Sequence, residues 1–313
     1  MVAPAPPVFI YADFEALQNA ERVFVANLLC YSSAEEETVH VLEGEDCALQ
    51  FPNDLDDLVD VSYSDKEREI IVVFHNLKGF DSMFILHELY QQQREVVDQL
   101  TVEEEVLSFK SGPLKFIDSL FFLPMPLASF PSTFNLTELK KGFFPHLFNT
   151  PDDQQYVGRI PDLEFYDPDG MIAKTKDELT RWYADQVRCN VSFNFRQEMI
   201  DYCKSDVALL KAGCEAFQQQ FQSQAGFNPM AKCMTIASAC NLYWRKHHLP
   251  PNTIAVEPVR GWRGANVNQS LKALQWLYYR EHQIPSRGPV RTESDSSVTE
   301  PNSPSGPTSI PVS

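Results

Sequence analysis

The distribution of apolar and polar residues predicts a chain in which strands come first and helices dominate later. Apolar, β-prone runs predict strands at residues 8–12, 23–31, 38–42, 69–75, 106–109 and 114–118. The run at 69–75 is continuous, which is typical of a strand buried on both faces. The last two runs flank Ser-Gly-Pro and are expected to pair as a hairpin.

Helical spacing of apolar residues appears in several segments. It predicts helices at residues 82–93, 133–139, 176–189, 193–224 and 235–247. Residues 145–172 are rich in Pro, Asp and Gly and are expected to form a long loop. The acidic residues after the third strand are expected to form a solvated helix or loop. We therefore expect an α/β fold with a central mixed sheet flanked by helices.

The composition suggests how the chain is divided. A folded domain is expected at residues 1–228, followed by a smaller basic segment at 229–283. Residues 284–313 are Pro, Ser and Thr with almost no apolar content, which predicts a disordered tail.

Net charge does not by itself decide whether the protein binds nucleic acid. The 313 residues are 43% hydrophobic, enough for a packed core, and the formal charge of −17 argues against a nucleic-acid binder. The charge is uneven, however. Residues 35–69 contain thirteen acidic and two basic residues, whereas residues 240–291 contain eight basic and two acidic ones. An acidic protein of this kind can still present a basic surface.

The seven cysteines are scattered and form no CxxC pair, which predicts reduced thiols and an intracellular protein, nuclear or cytoplasmic. Two cysteines and two histidines fit no common zinc-ligand spacing; they are Cys233, Cys240, His247 and His248. No 18-residue apolar run and no secretory signal are found, so neither a membrane span nor secretion is expected.

Carboxylates occur in three informative settings. Asp13 and Glu15 end the first predicted strand on one face, where they can hold a hard cation or simply face solvent. Asp81 follows the buried strand at the edge where α/β folds place ligands, although it could equally cap the next helix. Tyr202 and Asp206 lie one helical turn apart, as they also would in an ordinary amphipathic helix.

The order of these motifs is more specific than any one of them. D-x-E, then N-x-x-x-F-D, then Y-x-x-x-D resembles the signature of DEDD exonucleases with the ribonuclease H-like fold. Over roughly residues 8–282 the chain more closely resembles the 3′–5′ exonuclease region of protein-primed family B DNA polymerases, a branch with phage, viral, organellar-plasmid and Maverick/Polinton members. The segments HNLK at 75–78, DSLFFLP at 118–124 and LKKGFFPH at 139–146 carry this closer likeness.

The resemblance implies a ribonuclease H-like domain that removes 3′-terminal deoxynucleotides from single-stranded DNA. Two Mg²⁺ or Mn²⁺ ions would be held by Asp13, Glu15, Asp81 and Asp206, and Tyr202 would orient the attacking water. The DNA 3′ end would be contacted by His75, Asn76, Phe80, Ser119 and Leu120. For the last two, a strand end with a buried leucine is an alternative explanation. The roles of Lys140, Lys141 and His146 stay open.

Two further observations concern the polymerase context. The segment with Arg260, Trp262 and Arg263 loosely resembles the template-binding loop between exonuclease and polymerase regions, although a surface turn with a packed tryptophan explains it equally. The palm motifs for nucleotide addition are not found after Gly264. We therefore expect the N-terminal part of a polymerase that does not polymerise alone, with a terminal protein or a polymerase region as further partners.

Two other functions remain open from the sequence. A catalytically inactive, domesticated or truncated remnant that binds DNA or a partner would keep the same carboxylates by recent descent. A free-standing DEDD nuclease acting on RNA would share them too, but it would not explain the segments at 118–124 and 260–266.

Overall fold

The computed structural model describes residues 6–19, 21–62, 68–102, 105–136, 139, 141–250, 253 and 271–283. The chain separates into two compact units, Met1–Leu249 and Pro250–Ser313. The domain boundaries expected from the sequence, after residues 228 and 283, stay predictions. The predicted tail and the loop with Arg260, Trp262 and Arg263 lie outside the described residues.

A mixed seven-stranded sheet forms the centre of the first unit. Its strands are β1 Val8–Gln18, β2 Phe24–Ser33, β3 His40–Glu43, β4 Ile70–Phe74, β5 Val97–Val102, β6 Glu105–Ser111 and β7 Leu114–Asp118. They lie in the order β3-β2-β1-β4-β7-β6-β5. The neighbours β1, β4 and β7 run parallel, and β2 runs antiparallel to β1. Two short strands, β8 Val157–Arg159 and β9 Ser192–Asn194, pair separately.

Helices cover both faces of this sheet. They are α1 Cys47–Ser62, α2 Asp81–Gln91, α3 Phe130–Phe134, α4 Ala173–Arg188, α5 Phe195–Ala225, α6 Pro229–Lys232 and α7 Ile236–His247. In the second unit the structure describes α8, Leu271–Gln283. None of the described helices combines the length and the apolar character needed to cross a membrane.

Each sheet face has its own apolar core, because side chains alternate along a strand. In β1, Phe9 and Tyr11 join the core beneath α5, whereas Val8 and Ile10 join the core beneath α1 and α2. All five residues of β4 are buried, as predicted for a strand covered on both sides. The α/β class with a mixed sheet flanked by helices is confirmed, and the order β3-β2-β1-β4-β7 is that of ribonuclease H-like folds.

Some predicted elements differ from those in the structure. The helix predicted at 133–139 is wrong in both bounds: α3 begins at Phe130 and ends at Phe134, because Asn135 adopts a left-handed conformation with φ 57°. The predicted loop at 145–172 contains β8, which forms only by pairing with the distant β9. The acidic stretch contains α1, which is not simply solvated, because Phe51 and Leu55 are fully buried.

Helix α5 carries two of the predicted site residues and is well defined by local sequence. Asn194 caps its start by accepting a hydrogen bond from the Gln197 N–H, and Gly226, with φ 71°, ends it. The predicted apolar stripe is buried against the sheet; it consists of Met199, Cys203, Val207, Leu210 and Cys214. This packing fixes the rotation of the helix, and therefore the direction of the neighbouring polar residues.

We expect Gly213→Ala to lower the free energy of unfolding by about 1–3 kcal/mol, because overpacking outweighs alanine's helix preference. A Cβ atom at Gly213 would overlap the ring of Phe130, which is fully buried and packs edge-on against His75. Urea denaturation followed by circular dichroism measures the change. Gln219→Ala, on the exposed side of α5, is the control and should change it by less than about 0.5 kcal/mol. A more stable Gly213→Ala protein would contradict the packing described.

Candidate active site

Three parallel strands end at one edge of the sheet and bring distant segments together there. Tyr11 of β1 lies opposite Val73 of β4, and Phe74 lies opposite Asp118 of β7. Asp13, the loop after Phe74 and the end of β7 therefore meet at the carboxyl edge, where α/β folds commonly bind ligands.

Glu15 is positioned by a bulge between β1 and β2. Glu15 pairs with Leu28 but Ala16 pairs with Ala26, so Asn27 is the additional residue. The Asn149 side-chain amide donates to the Ala16 carbonyl at 3.1 Å, and the Asn27 amide donates to Asn149 at 2.9 Å. These two asparagines were not predicted, since an isolated Asn carries no signal for a partner over a hundred residues away.

Asp206 reaches the same edge from α5 and is nearly fully buried, at 4% exposure. Its Oδ2 accepts a hydrogen bond from Lys141 Nζ at 2.5 Å. Its Oδ1 is buried and has no hydrogen-bond partner. A buried carboxylate oxygen without a donor is costly, which indicates that a cation or a water belongs beside it.

Tyr202 lies one helical turn before Asp206 and packs against residues 141–146. Its ring stacks on Phe144 with centroids 5.2 Å apart, and it meets the His146 ring edge-on at 5.2 Å. Lys141 Nζ lies 5.0 Å from the centre of the Tyr202 ring. This segment is therefore part of the site.

Two residues of that segment face carboxylates. Lys141 pairs with Asp206, and His146 Nδ1 lies 3.7 Å from Glu15 Oε2. Lys141 and His146 therefore lie beside the predicted carboxylates, and Lys140 lies outside the described residues. The roles of all three stay open.

Asp81 is the first residue of α2, not its cap. Phe80 occupies the capping position and makes no side-chain hydrogen bond there. A carboxylate in the first helical turn is favoured by the helix dipole. The capping explanation for Asp81 therefore does not account for its position, and the charge of Asp81 acts on Asp13.

Asp118 holds the loop that leads to Asp81. Its Oδ1 accepts hydrogen bonds from the backbone N–H groups of Asn76 and Leu120, both at 2.9 Å, and its Oδ2 accepts one from that of Lys78 at 3.4 Å. Asn76 has φ 77°, so the loop needs this support to keep a left-handed residue in place. Asp118 belongs to the segment DSLFFLP, but the motifs do not predict this role for it; its place at the end of a strand is the signal that could have found it.

The five residues expected to touch DNA fall into two groups. His75 Nδ1 lies 2.8 Å from Ser119 Oγ and its Nε2 lies 3.0 Å from the Met125 carbonyl, while the fully buried Ser119 hydroxyl donates to the Phe74 carbonyl. These two side chains join the ends of β4 and β7. Leu120 is half-buried, and Asn76 and Phe80 are exposed beside Asp81. DNA contact remains a prediction for all five.

The crowded carboxylates alter one another's ionisation. Burial raises the pKa of Asp13 well above its usual range, and the charges of Asp206 and Glu15 raise it further, against a smaller opposing effect of Lys141. Burial and the charges of Asp118 and Glu15 likewise raise the pKa of Asp81. Burial raises the pKa of Tyr202 as well, so its hydroxyl stays protonated. Lys141 offsets only part of this negative charge.

These residues fit a divalent cation that prefers oxygen ligands. Oxygen atoms of Asp13 and Glu15 and the Cys203 sulfur lie within 4.8 Å of one another. The Cys203 thiol donates a hydrogen bond to the Asp13 backbone carbonyl at 3.4 Å, and burial raises the pKa of this thiol. Cys203 therefore stays a neutral hydrogen-bond donor and not a thiolate ligand. The ligands are then carboxylates, which suit Mg²⁺ or Mn²⁺. The cysteines and histidines considered for zinc form no such cluster among the described residues.

The family model for DNA polymerase type B, organellar and viral, matches residues 63–262, more than half of the chain. The chain belongs to this family.

Curated relatives in the family are much longer than this chain. A probable DNA polymerase of Ascobolus immersus is 26% identical over 194 residues, which are 58% of this chain and 15% of that protein. One of Agaricus bitorquis is 25% identical over 158 residues, 48% of this chain and 19% of that protein. The chain therefore spans less than a fifth of either polymerase.

Solved structures similar to this chain include two of Phi29 DNA polymerase. The one complexed with single-stranded DNA has 16% identity and a TM-score of 0.46, and the one with primer-template DNA has 15% and 0.44. Each comparison covers 77% of this chain and 35% of the other.

We expect Asp118→Ala to lower the free energy of unfolding by about 2–5 kcal/mol, because three backbone N–H groups lose their acceptor. Asp118→Asn keeps one oxygen and should cost less. Urea denaturation measures both variants. Asp177→Ala, at an exposed position of α4, should change stability by less than about 0.5 kcal/mol. An Asp118→Ala protein as stable as this control would contradict the role of Asp118 in holding the loop before Asp81.

We expect Asp13→Asn to raise the melting temperature in EDTA at pH 7 by about 2–5 °C. The raised pKa means that ionised Asp13 destabilises the fold, a cost that is absent below its usual value near 3.8 and appears as the pH rises through the folded-state pKa. Thermal unfolding between pH 4 and pH 8 should therefore show the advantage of the variant vanishing at low pH.

The exposed Asp152→Asn is the matched control and should show no such pH-dependent difference. Adding Mg²⁺ or Mn²⁺ should stabilise the unaltered protein more than Asp13→Asn. If the unaltered protein were the more stable one in EDTA at pH 7, the charge repulsion described would be refuted.

Proposed function

We propose that this chain is the 3′–5′ exonuclease part of a family B DNA polymerase and hydrolyses 3′-terminal deoxynucleotides of single-stranded DNA. The observation that supports this most is the carboxylate cluster at the sheet edge, where Asp206 Oδ1 is buried without a partner and the pKa of Asp13 is raised by its acidic neighbours. Such a cluster destabilises the fold unless cations bind it, so a cation-dependent activity explains why it is present.

Asp13, Glu15, Asp81 and Asp206 are the proposed ligands of two Mg²⁺ or Mn²⁺ ions. These ions would supply Lewis acidity and would neutralise the charge of the scissile phosphate. In the net reaction, a water oxygen bonds to phosphorus and the bond between phosphorus and the 3′ oxygen breaks. The proton ends on the released 3′ hydroxyl, and a deoxynucleoside monophosphate leaves.

Two other side chains have roles that follow from their charge and protonation. The protonated Tyr202 hydroxyl is a hydrogen-bond donor and would orient the attacking water. Lys141 is half-buried beside Asp206 and would move toward a phosphate oxygen once cations compensate that carboxylate. The exposed Asn76 and Phe80 would contact the sugar and base of the terminal nucleotide.

The charge distribution supports weak, salt-sensitive DNA binding by this chain alone. The described site is acidic, and the basic segment at 240–291 is the part of the sequence suited to the phosphate backbone. Tight binding would then depend on a polymerase region, and a terminal protein is a further proposed partner.

We expect Mg²⁺-dependent shortening of a 5′-labelled single-stranded DNA, read on a sequencing gel. Asp13→Ala combined with Glu15→Ala should reduce the rate by about a thousandfold or more, because the tightest pair of proposed cation ligands is removed. The exposed Asp152→Ala should keep the full rate. A double variant with full activity would contradict the assignment.

The same assay separates the other functions. DNA that is bound but not shortened by the unaltered protein would indicate a non-catalytic remnant. An RNA strand shortened faster than DNA of the same sequence would indicate an RNA nuclease.

A further inference from the structure

An exposed aromatic pair lies beside the proposed active site. Phe24, at the start of β2, is 46% exposed, and Phe80, directly before Asp81, is 56% exposed. Their ring centroids are 4.7 Å apart, with the planes inclined at 49°. Phe80 was expected to contact DNA, whereas nothing in the sequence motifs points to Phe24.

The pair is placed by two separate parts of the fold. Phe24 lies opposite Gln18, at the far end of β1 from the core and beyond the bulge at Glu15. Phe80 is brought there by the loop that Asp118 holds. The contact therefore joins β2, which pairs with the strand carrying Asp13 and Glu15, to the residue directly before Asp81.

Burial does not explain why two large rings meet at this point. Each keeps about half of its surface in water, so the fold gains only part of the stabilisation that burying an aromatic side chain gives. Val23, the residue before Phe24, is also largely exposed. The touching rings of Phe24 and Phe80 form one exposed apolar surface, and exposed apolar surfaces of more than one residue commonly mark a binding site.

We propose that Phe24 is a positioning residue that holds the Phe80 ring in place, and that the two rings together form an apolar surface for the 3′-terminal base. This rests on the proposed function. The occupant is a nucleobase because the pair adjoins Asp81, where the terminal nucleotide must lie for its phosphodiester bond to be hydrolysed. Bases of every type have an apolar face that stacks on aromatic rings, so the surface would be sequence-tolerant.

The contribution of Phe24 follows from conformational entropy. A half-exposed phenylalanine with no neighbour samples several rotamers, and binding must then fix one of them. A ring already supported by Phe24 loses less freedom when a base stacks on it, which strengthens binding without a new polar contact.

The test measures DNA binding without catalysis, in EDTA, with the full chain. The probe is a single-stranded oligodeoxynucleotide carrying 2-aminopurine at its 3′ end, whose fluorescence falls on stacking. We expect Phe24→Ala to weaken binding by about three- to tenfold and to reduce the quenching. Phe24→Leu should fill the space that Phe24→Ala leaves beside Phe80. It should nevertheless restore less than half of the quenching that Phe24→Ala loses, because leucine has no ring face.

Tyr90→Ala is the matched control, since Tyr90 is an equally exposed aromatic residue at the other end of α2. It should leave affinity and quenching unchanged. At saturating protein, a probe with 2-aminopurine six nucleotides from the 3′ end should show the same fluorescence with all variants. Melting temperatures of the variants within about 2 °C of the unaltered protein would show that folding is intact.

The outcomes separate this inference from the proposed function. If Phe24→Ala binds and quenches like the unaltered protein while DNA is still shortened, the positioning role is overturned and the exonuclease function stands. If the unaltered protein neither binds nor shortens single-stranded DNA, both are overturned. Quenching lost in Phe24→Ala and Phe80→Ala, but kept in Tyr90→Ala, would support the inference.

Discussion

Mutual repulsion among carboxylates at one sheet edge is the constraint on which the rest of the site depends. Asp13, Glu15, Asp81 and Asp206 come from three segments, and burial makes their charges costlier. The protein offsets part of this cost with Lys141 on Asp206 and with the N-terminus of α2, whose first residue is Asp81. The remaining deficit of positive charge is what makes a cation-dependent function the best explanation.

A crowded acidic site stays in place only if the surrounding backbone is held firmly. Asp118 fixes the loop before Asp81 through three backbone N–H groups, and Asn27 with Asn149 fixes the bulge after Glu15. On the opposite side, the buried stripe of α5 orients Asp206. Burial of the apolar cores on both sheet faces stabilises the fold and offsets the free-energy cost of the buried carboxylates.

Membership of the organellar and viral type B polymerase family changes how the charge of the chain is understood. A net charge of −17 is unusual for a nucleic-acid enzyme when it is considered as a whole. Several of those charges are gathered where cations would bind, and thirteen acidic residues fall between residues 35 and 69, outside the carboxylate motifs. The local arrangement of charges, and not the net charge, decides whether a phosphate backbone can approach.

The sequence by itself determined the α/β class, the buried strand β4, the helix α5 and the three carboxylate motifs in their order. These features depend on alternation, helical spacing and short motifs, which are local properties of the chain. Only the tertiary structure decided that Lys141 pairs with Asp206, that Asp118 holds the loop at Asn76 and that Phe24 meets Phe80. Each of these contacts joins residues more than forty positions apart. They arise from strand register and loop path, which the packing of the whole domain sets and no local pattern records.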